Sequence, residues 1–170
     1  MSMESPVSRK PIALALVLLA LSAAPGQAQH AHHADAPAGR LAPAASEAAA
    51  TVDAFHRALR AADTDAALAL LAEDAVIFEA GGAERSRDEY ASHHLAADSA
   101  FAAATEDAVT RRSGDASGDV AWITSEGRTT GAFNGRAVDR LTVETMLLRR
   151  HGDGWRIQHI HWSSRAAPAV

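Results

Sequence analysis

The chain has 170 residues, a net charge of −5 and no cysteine, which predicts one domain plus a leader and excludes disulfides, thiolate catalysis and cysteine-built zinc sites. Hydrophobic content is 48%, much of it alanine, and the aromatic bulk is four Phe, three Trp and one Tyr, enough for a single small core. Lys10 is the only lysine and no basic stripe runs through the chain, so nucleic acid is not an expected partner.

Residues 1–28 read as an export signal. Arg9 and Lys10 supply the positive start, and Ile12 to Ala23 is an apolar run too short for a spanning helix of about 20 residues. Pro25 and Gly26 break it, and cleavage is expected after Ala28, with Ala24 the second choice. An uncleaved anchor is the other reading of the same run. Cleavage leaves a periplasmic or secreted protein with no membrane segment. Residues 29–45 hold His30, His32 and His33 among Ala, Pro and Gly, the composition of a disordered linker. A short His cluster of this kind binds copper or zinc weakly.

Ser46 is placed to cap a first helix to about Ala62, with Val52, Phe55 and Leu59 on its apolar stripe and His56 beside it as a surface residue. Asp63 or Thr64 caps a short second helix, and Val76 to Glu79 reads as a strand ended by Gly81-Gly82. Ser86 and Glu89 form a capping box for a third helix to about Phe101. On its wheel Tyr90, His94, Ala97 and Phe101 share a face, which puts His94 at the centre of a buried stripe. Asp98 stands one turn further on, where it could orient that imidazole.

Four strand-like runs follow: Thr105 to Ser113, Val120 to Thr130, Arg136 to Arg150 and Gly154 to Ser164. Asn134-Gly135 and Gly152-Asp153 are two-residue hairpin turns. Helices followed by a meander give an α+β fold, about three N-terminal helices packed on a mostly antiparallel sheet. Counting back from both turns pairs Ser125 with Glu144, and Met146, Glu144 and Thr142 with His159, His161 and Ser163. One face then holds Glu144, Met146, His159, His161 and Ser163 as a pocket wall. The other holds Trp122, Val143, Leu147, Ile160 and Trp162, too apolar to face water, so a homodimer through this outer face is expected. A slip of one residue would exchange the faces.

The helical first half, and the ending Trp155-Arg156-Ile157 with His159, His161 and Ser163, resemble the nuclear transport factor 2-like superfamily in its SnoaL-like/DUF4440 branch. The resemblance spans residues 46–165 and leaves 166–170 as a tail. It implies a cone: a curved sheet wrapped round a long helix, with a pocket inside and dimerisation through the sheet. The superfamily contains ketosteroid isomerases, polyketide cyclases, dehydratases and non-catalytic members. Its dehydratase arrangement, a His–Asp pair with a tyrosine, maps onto His94, Asp98 and Tyr90.

Three functions follow from this reading. The first is an exported domain whose internal pocket binds a small hydrophobic molecule. The second is a His-based acid–base enzyme of isomerase, dehydratase or hydrolase type, with His94, His159 and His161 as acid or base and Glu144, Glu79 or Asp98 orienting them. Tyr90, Asp98, Glu79, Met146 and Ser163 would contact the ligand in either case. The third is a divalent-metal pocket with His94, His159 and His161 as candidate ligands and Glu79 or Glu144 as the oxygen donor.

Overall fold

The computed structural model describes residues 39–152 and 154–168; the expected export signal and the His30, His32 and His33 cluster lie outside them. Helices α1 (Ser46–Arg60) and α2 (Thr64–Ala69) precede strands β1 (Leu71–Glu79) and β2 (Gly82–Glu84). Helices α3 (Arg87–His93) and α4 (Leu95–Ala104) follow, then β3 (Thr105–Ser117), β4 (Val120–Phe133), β5 (Arg136–His151) and β6 (Gly154–Ala166). The six strands form one sheet in the order β2-β1-β6-β5-β4-β3. It is antiparallel except where β1 runs parallel to β6. This is the expected α+β architecture: a curved, mostly antiparallel sheet with the helices on its inner face.

Local chemistry accounts for most of the elements. The Asp63 side chain accepts from Ala66 N at 3.0 Å and starts α2. Ser86 caps α3 by accepting from Glu89 N at 3.0 Å, and Glu89 accepts in return from Arg85 N at 2.6 Å. Asn134 and Gly135 both have positive φ, 50° and 74°, the geometry a tight two-residue hairpin needs. The β1–β2 connection is a second such turn, at Ala80-Gly81, so the glycine pair expected to end a strand starts a hairpin. In α1 the stripe Val52, Phe55 and Leu59 is buried against Ile123, Met146, Leu148, Ile157 and Ile160 of the sheet. Each such large side chain contributes about 1.5–3 kcal/mol by leaving water. Of the expected linker 29–45, residues 39–45 are part of the fold. Gly114 N donates to Arg40 O and Ala42 N to Gly114 O, and Ala45 is fully buried. This segment covers part of the β3 edge, which would otherwise expose unpaired backbone.

Two departures from the sequence reading decide the site. The expected third helix breaks at His94, which ends α3 and begins α4 at φ −115°. A straight helix would bury Tyr90, His94 and Ala97. The break advances the buried face by one residue, so Tyr90, Leu95 and Ser99 go in and the His94 side chain is left 56% exposed. A leucine is buried in place of an imidazole, which avoids the cost of desolvating the latter.

The second departure is a β-bulge in β6. The β4–β5 register is as expected, with Ser125 opposite Glu144 and Ile123 opposite Met146, and His151 pairs with Gly154. The β5–β6 register then shifts between Leu147 and Leu148. Leu148 pairs with Ile157, Leu147 with His159, Met146 with Ile160 and Glu144 with Trp162. Gln158 is the extra residue. A bulge puts two residues opposite one and so reverses the facing of all that follows. The expected pairs of Met146 with His159, Glu144 with His161 and Thr142 with Ser163 do not form. His159, His161 and Ser163 face outward, and Ile160 and Trp162 face inward. Burial favours this arrangement, because Ile160 and Trp162 bring apolar surface to the core that the two histidines and the serine could not.

Candidate functional site

The inner face of the sheet is crossed by rows of paired residues, and their chemistry changes along the strands. Leu71, Ile157, Leu148 and Ala121 make one apolar row, and Ile77, Ile160, Met146, Ile123 and Gly114 the next. The third row is polar from end to end: Glu79, Trp162, Glu144, Ser125 and Arg112. This row is the candidate site, and helices α1, α3 and α4 set four further side chains against it.

Glu144 is its centre, buried to 9% exposure. Its Oε2 accepts from Trp162 Nε1 at 2.8 Å and lies 2.8 Å from His56 Nε2. Its Oε1 is 3.5 Å from Ser125 Oγ. Arg112 donates to Ser125 Oγ at 3.3 Å and to Asp53 Oδ1 at 2.6 Å. Asp53 and His56 stand three residues apart on α1, so one turn of helix delivers both. Burial pushes the Glu144 carboxyl up, but the hydrogen bonds from His56 and Trp162 and the nearby Arg112 hold it below the usual carboxylate range. It is therefore an anion at neutral pH. A carboxylate only accepts, so His56 Nε2 carries the hydrogen, and in the neutral ring Nδ1 is left as an acceptor. The His56 side chain keeps 28% exposure, so the imidazole is both anchored and open to solvent.

Three aromatic rings join this group to a second one. Trp162 stacks on Phe55 with centroids 6.3 Å apart and meets Tyr90 at 6.5 Å. The Tyr90 hydroxyl donates to Asp98 Oδ2 at 2.9 Å across the break between α3 and α4. Burial raises the Asp98 carboxyl, partly offset by that hydrogen bond and by His94. Burial raises Glu79 as well, and the Asp98 charge adds to it. The Tyr90 hydroxyl is driven far up by burial and by the Asp98 charge, so it stays a donor. His94 Nδ1 hydrogen-bonds Glu84, which is 5% exposed on β2.

The expected residues thus fall into three groups. Glu144, Tyr90, Asp98 and Glu79 are on or against the polar row, and Met146 is fully buried in the row beneath. His94 is at the helix break, bonded to Glu84 and not to Asp98, so the expected His94–Asp98–Tyr90 set reduces to Tyr90–Asp98. His159, His161 and Ser163 are on the opposite side of the sheet from Glu144, and the quartet His94, Glu144, His159 and His161 does not converge. Among the described residues no three metal-capable side chains are grouped to hold an ion. Ser125 was expected on the same face as Glu144 and is there, whereas His56, Trp162, Glu84 and Arg112 were not foreseen as site residues. The pairing of Ser125 with Glu144 was derivable from the Asn134-Gly135 turn. Nothing local marked His56, which sits one place off the apolar stripe of α1. Grooves of about 500 Å³ between α1 and α2, and about 490 Å³ beside β1 and α3, lie away from the row.

A curved, mostly antiparallel sheet closing over α1 is the architecture of the nuclear transport factor 2-like class of α+β cones. Within that class residues 48–168 match the SnoaL-like domain, and the chain belongs to the SnoaL-like family. Among solved structures it resembles a candidate ketosteroid isomerase from Shewanella frigidimarina, at 35% identity and a TM-score of 0.67 over 71% of this chain and 98% of that one. A candidate calcium/calmodulin-dependent protein kinase II association domain from Xanthomonas campestris matches at 22% identity and a TM-score of 0.63, covering 82% of this chain and 99% of that one. A candidate dehydratase of the NTF2-like family from Streptomyces avermitilis matches at 20% and 0.59, covering 73% and 98%. The last two are likenesses of fold. No curated protein matches the sequence.

Proposed function

We propose that this domain binds a small, mostly apolar molecule carrying an oxygen function, at the open side of the polar row. The observation that carries the proposal is the His56–Glu144–Trp162 group: a buried anion fixes one edge of an imidazole whose side chain keeps 28% exposure. The half-buried Thr142 and Gly127 continue the inner face beyond it. Apolar walls with a few fixed polar groups are the usual make-up of a small-molecule site. Titration of the protein with β-naphthol, followed by NMR, is expected to saturate and to shift the resonances of His56, Tyr90 and Trp162. Shifts confined to the groove between α1 and α2, or none, would overturn the reading.

The same group supports a catalytic reading. His56, oriented by ionised Glu144, is a base, and Asp98, raised by burial and bonded by the Tyr90 hydroxyl, is the acid. Two carboxyls pushed in opposite directions, Glu144 down and Asp98 up, divide the base and acid roles. The candidate isomerase assignment of the Shewanella relative makes proton abstraction next to a carbonyl the reaction to test. Deuterium uptake by β-tetralone in D2O is expected to be catalysed, and His56→Gln to slow it by about 10²–10⁴-fold, the usual worth of a positioned base. Equal uptake in the variant removes this reading and leaves binding alone.

The proposal has two further parts. Export, with cleavage after Ala28, is supported by the N-terminal sequence pattern. Pairing of two copies through the outer sheet face is supported by the exposed Trp122, Val143 and Leu147. Ile160 and Trp162, first expected in that interface, are not part of it.

A further inference from the structure

The bulge that removes His159 and His161 from the inner site leaves them side by side on the outer face. We propose that they form a two-imidazole site for a borderline divalent ion, Cu²⁺ above all. This does not rest on the function proposed for the inner face. The two residues are separated by one position on β6, and both follow the bulge, so their side chains share a face. Their ring centroids are 6.5 Å apart.

The His159 ring is already set as a ligand. Its Nδ1 lies 2.8 Å from Val76 O. A carbonyl only accepts, so Nδ1 carries the hydrogen and Nε2 keeps its lone pair. Metal-bound histidines are commonly held this way, donating the second nitrogen to a carbonyl. The Phe78 ring meets both imidazoles edge-on, at 5.0 and 6.3 Å, and walls the pair on the β1 side. The His161 side chain is exposed. Two imidazoles at nitrogen–metal distances of about 2.0–2.1 Å bring their ring centres to about 5 Å. A rotation of His161 closes the remaining gap.

The neighbours select the ion. The residues paired with the two histidines are Leu147 and Thr145 on β5 and Val76 and Phe78 on β1. None is a carboxylate, so hard ions that require several oxygens find no ligands there. Imidazole suits copper, nickel and zinc, with Cu²⁺ bound tightest. Water completes the coordination.

The test uses the full chain with His30, His32 and His33 replaced by alanine, so that the N-terminal histidines cannot compete. Cu²⁺ titration followed by electron paramagnetic resonance is expected to give one equivalent with nitrogen coordination. The same ion should broaden the His159 and His161 ring resonances in NMR before any other. Substitution His161→Gln, at an exposed position, should weaken binding at least tenfold, and the double variant with His159→Gln should abolish it. Ca²⁺ should have no effect on these resonances. Binding that persists in the double variant, or broadening centred on His56, His94 or His151, would overturn the proposal, as would the absence of binding.

Discussion

Glu144 and Asp98 are carboxyls a few side chains apart that respond to burial in opposite ways. Glu144 has donors around it, so its folded-state pKa is lowered. The folded chain then binds fewer protons than the unfolded chain just below the ordinary carboxylate value. This contribution to stability is full above the unfolded pKa and is lost as pH falls through the lowered one. Asp98 has one donor and is buried beside other carboxyls, so its folded-state pKa is raised. Its sign is the reverse: stability declines as pH rises from the ordinary carboxylate value through the raised one. Asp98→Asn retains an acceptor for Tyr90 and removes that charge. Urea denaturation at a series of pH values should show a smaller decline across this window than in the parent protein. Glu144→Gln should lose about 1–3 kcal/mol at neutral pH, because one of the donors now held by the carboxylate is left without an acceptor. An unchanged midpoint would mean that the polar row is not held by Glu144.

At the scale of elements, two irregularities set what faces the site. The break at His94 buries Leu95 and brings Asp98 to Tyr90, and the bulge at Gln158 turns Trp162 toward Glu144. With Gln158 deleted, Ile157 and His159 become neighbours and the observed facing is that of a regular ladder. The deletion is therefore expected to preserve the Trp162–Glu144 hydrogen bond, at a cost of about 1–3 kcal/mol, the scale of a local defect. The Trp162 indole N–H resonance reports this directly. A resonance shifted to the position of a free indole would show that the bulge does not set the register.

For the whole molecule, the reversal of β6 changes the surface available for pairing. Trp162 is packed against Phe55 and Tyr90, so replacing it tests the core and not the interface. Leu147, 40% exposed and paired with Trp122 in the β4–β5 ladder, is the better probe. In sedimentation velocity the parent chain is expected to sediment as a dimer, and Leu147→Glu, with the fold intact, as a monomer. An unchanged sedimentation coefficient would remove the sheet-face dimer. Leu147 is also paired with His159 on β6, so metal binding is measured in the parent chain and not in this variant.

Periodicity, caps and turn residues in the sequence were sufficient for the α+β class, the α1 stripe, the cap at Ser86, and the pairing of Ser125 with Glu144, and they narrowed the cap of α2 to Asp63 or Thr64. These depend on interactions within a few residues or on a ladder counted from one tight turn, and such interactions are written locally. The site required more. Whether Trp162 or His161 meets Glu144 depends on one extra residue in β6, and whether His94 is in the core depends on a helix break. Both are settled by which side chains the assembled core can bury: Ile160 and Trp162 rather than two histidines, and Leu95 rather than His94. His56 becomes a site residue only because α1 crosses the sheet at Glu144. Sequence neighbours alone could not decide these choices, since burial is a property of the packed whole.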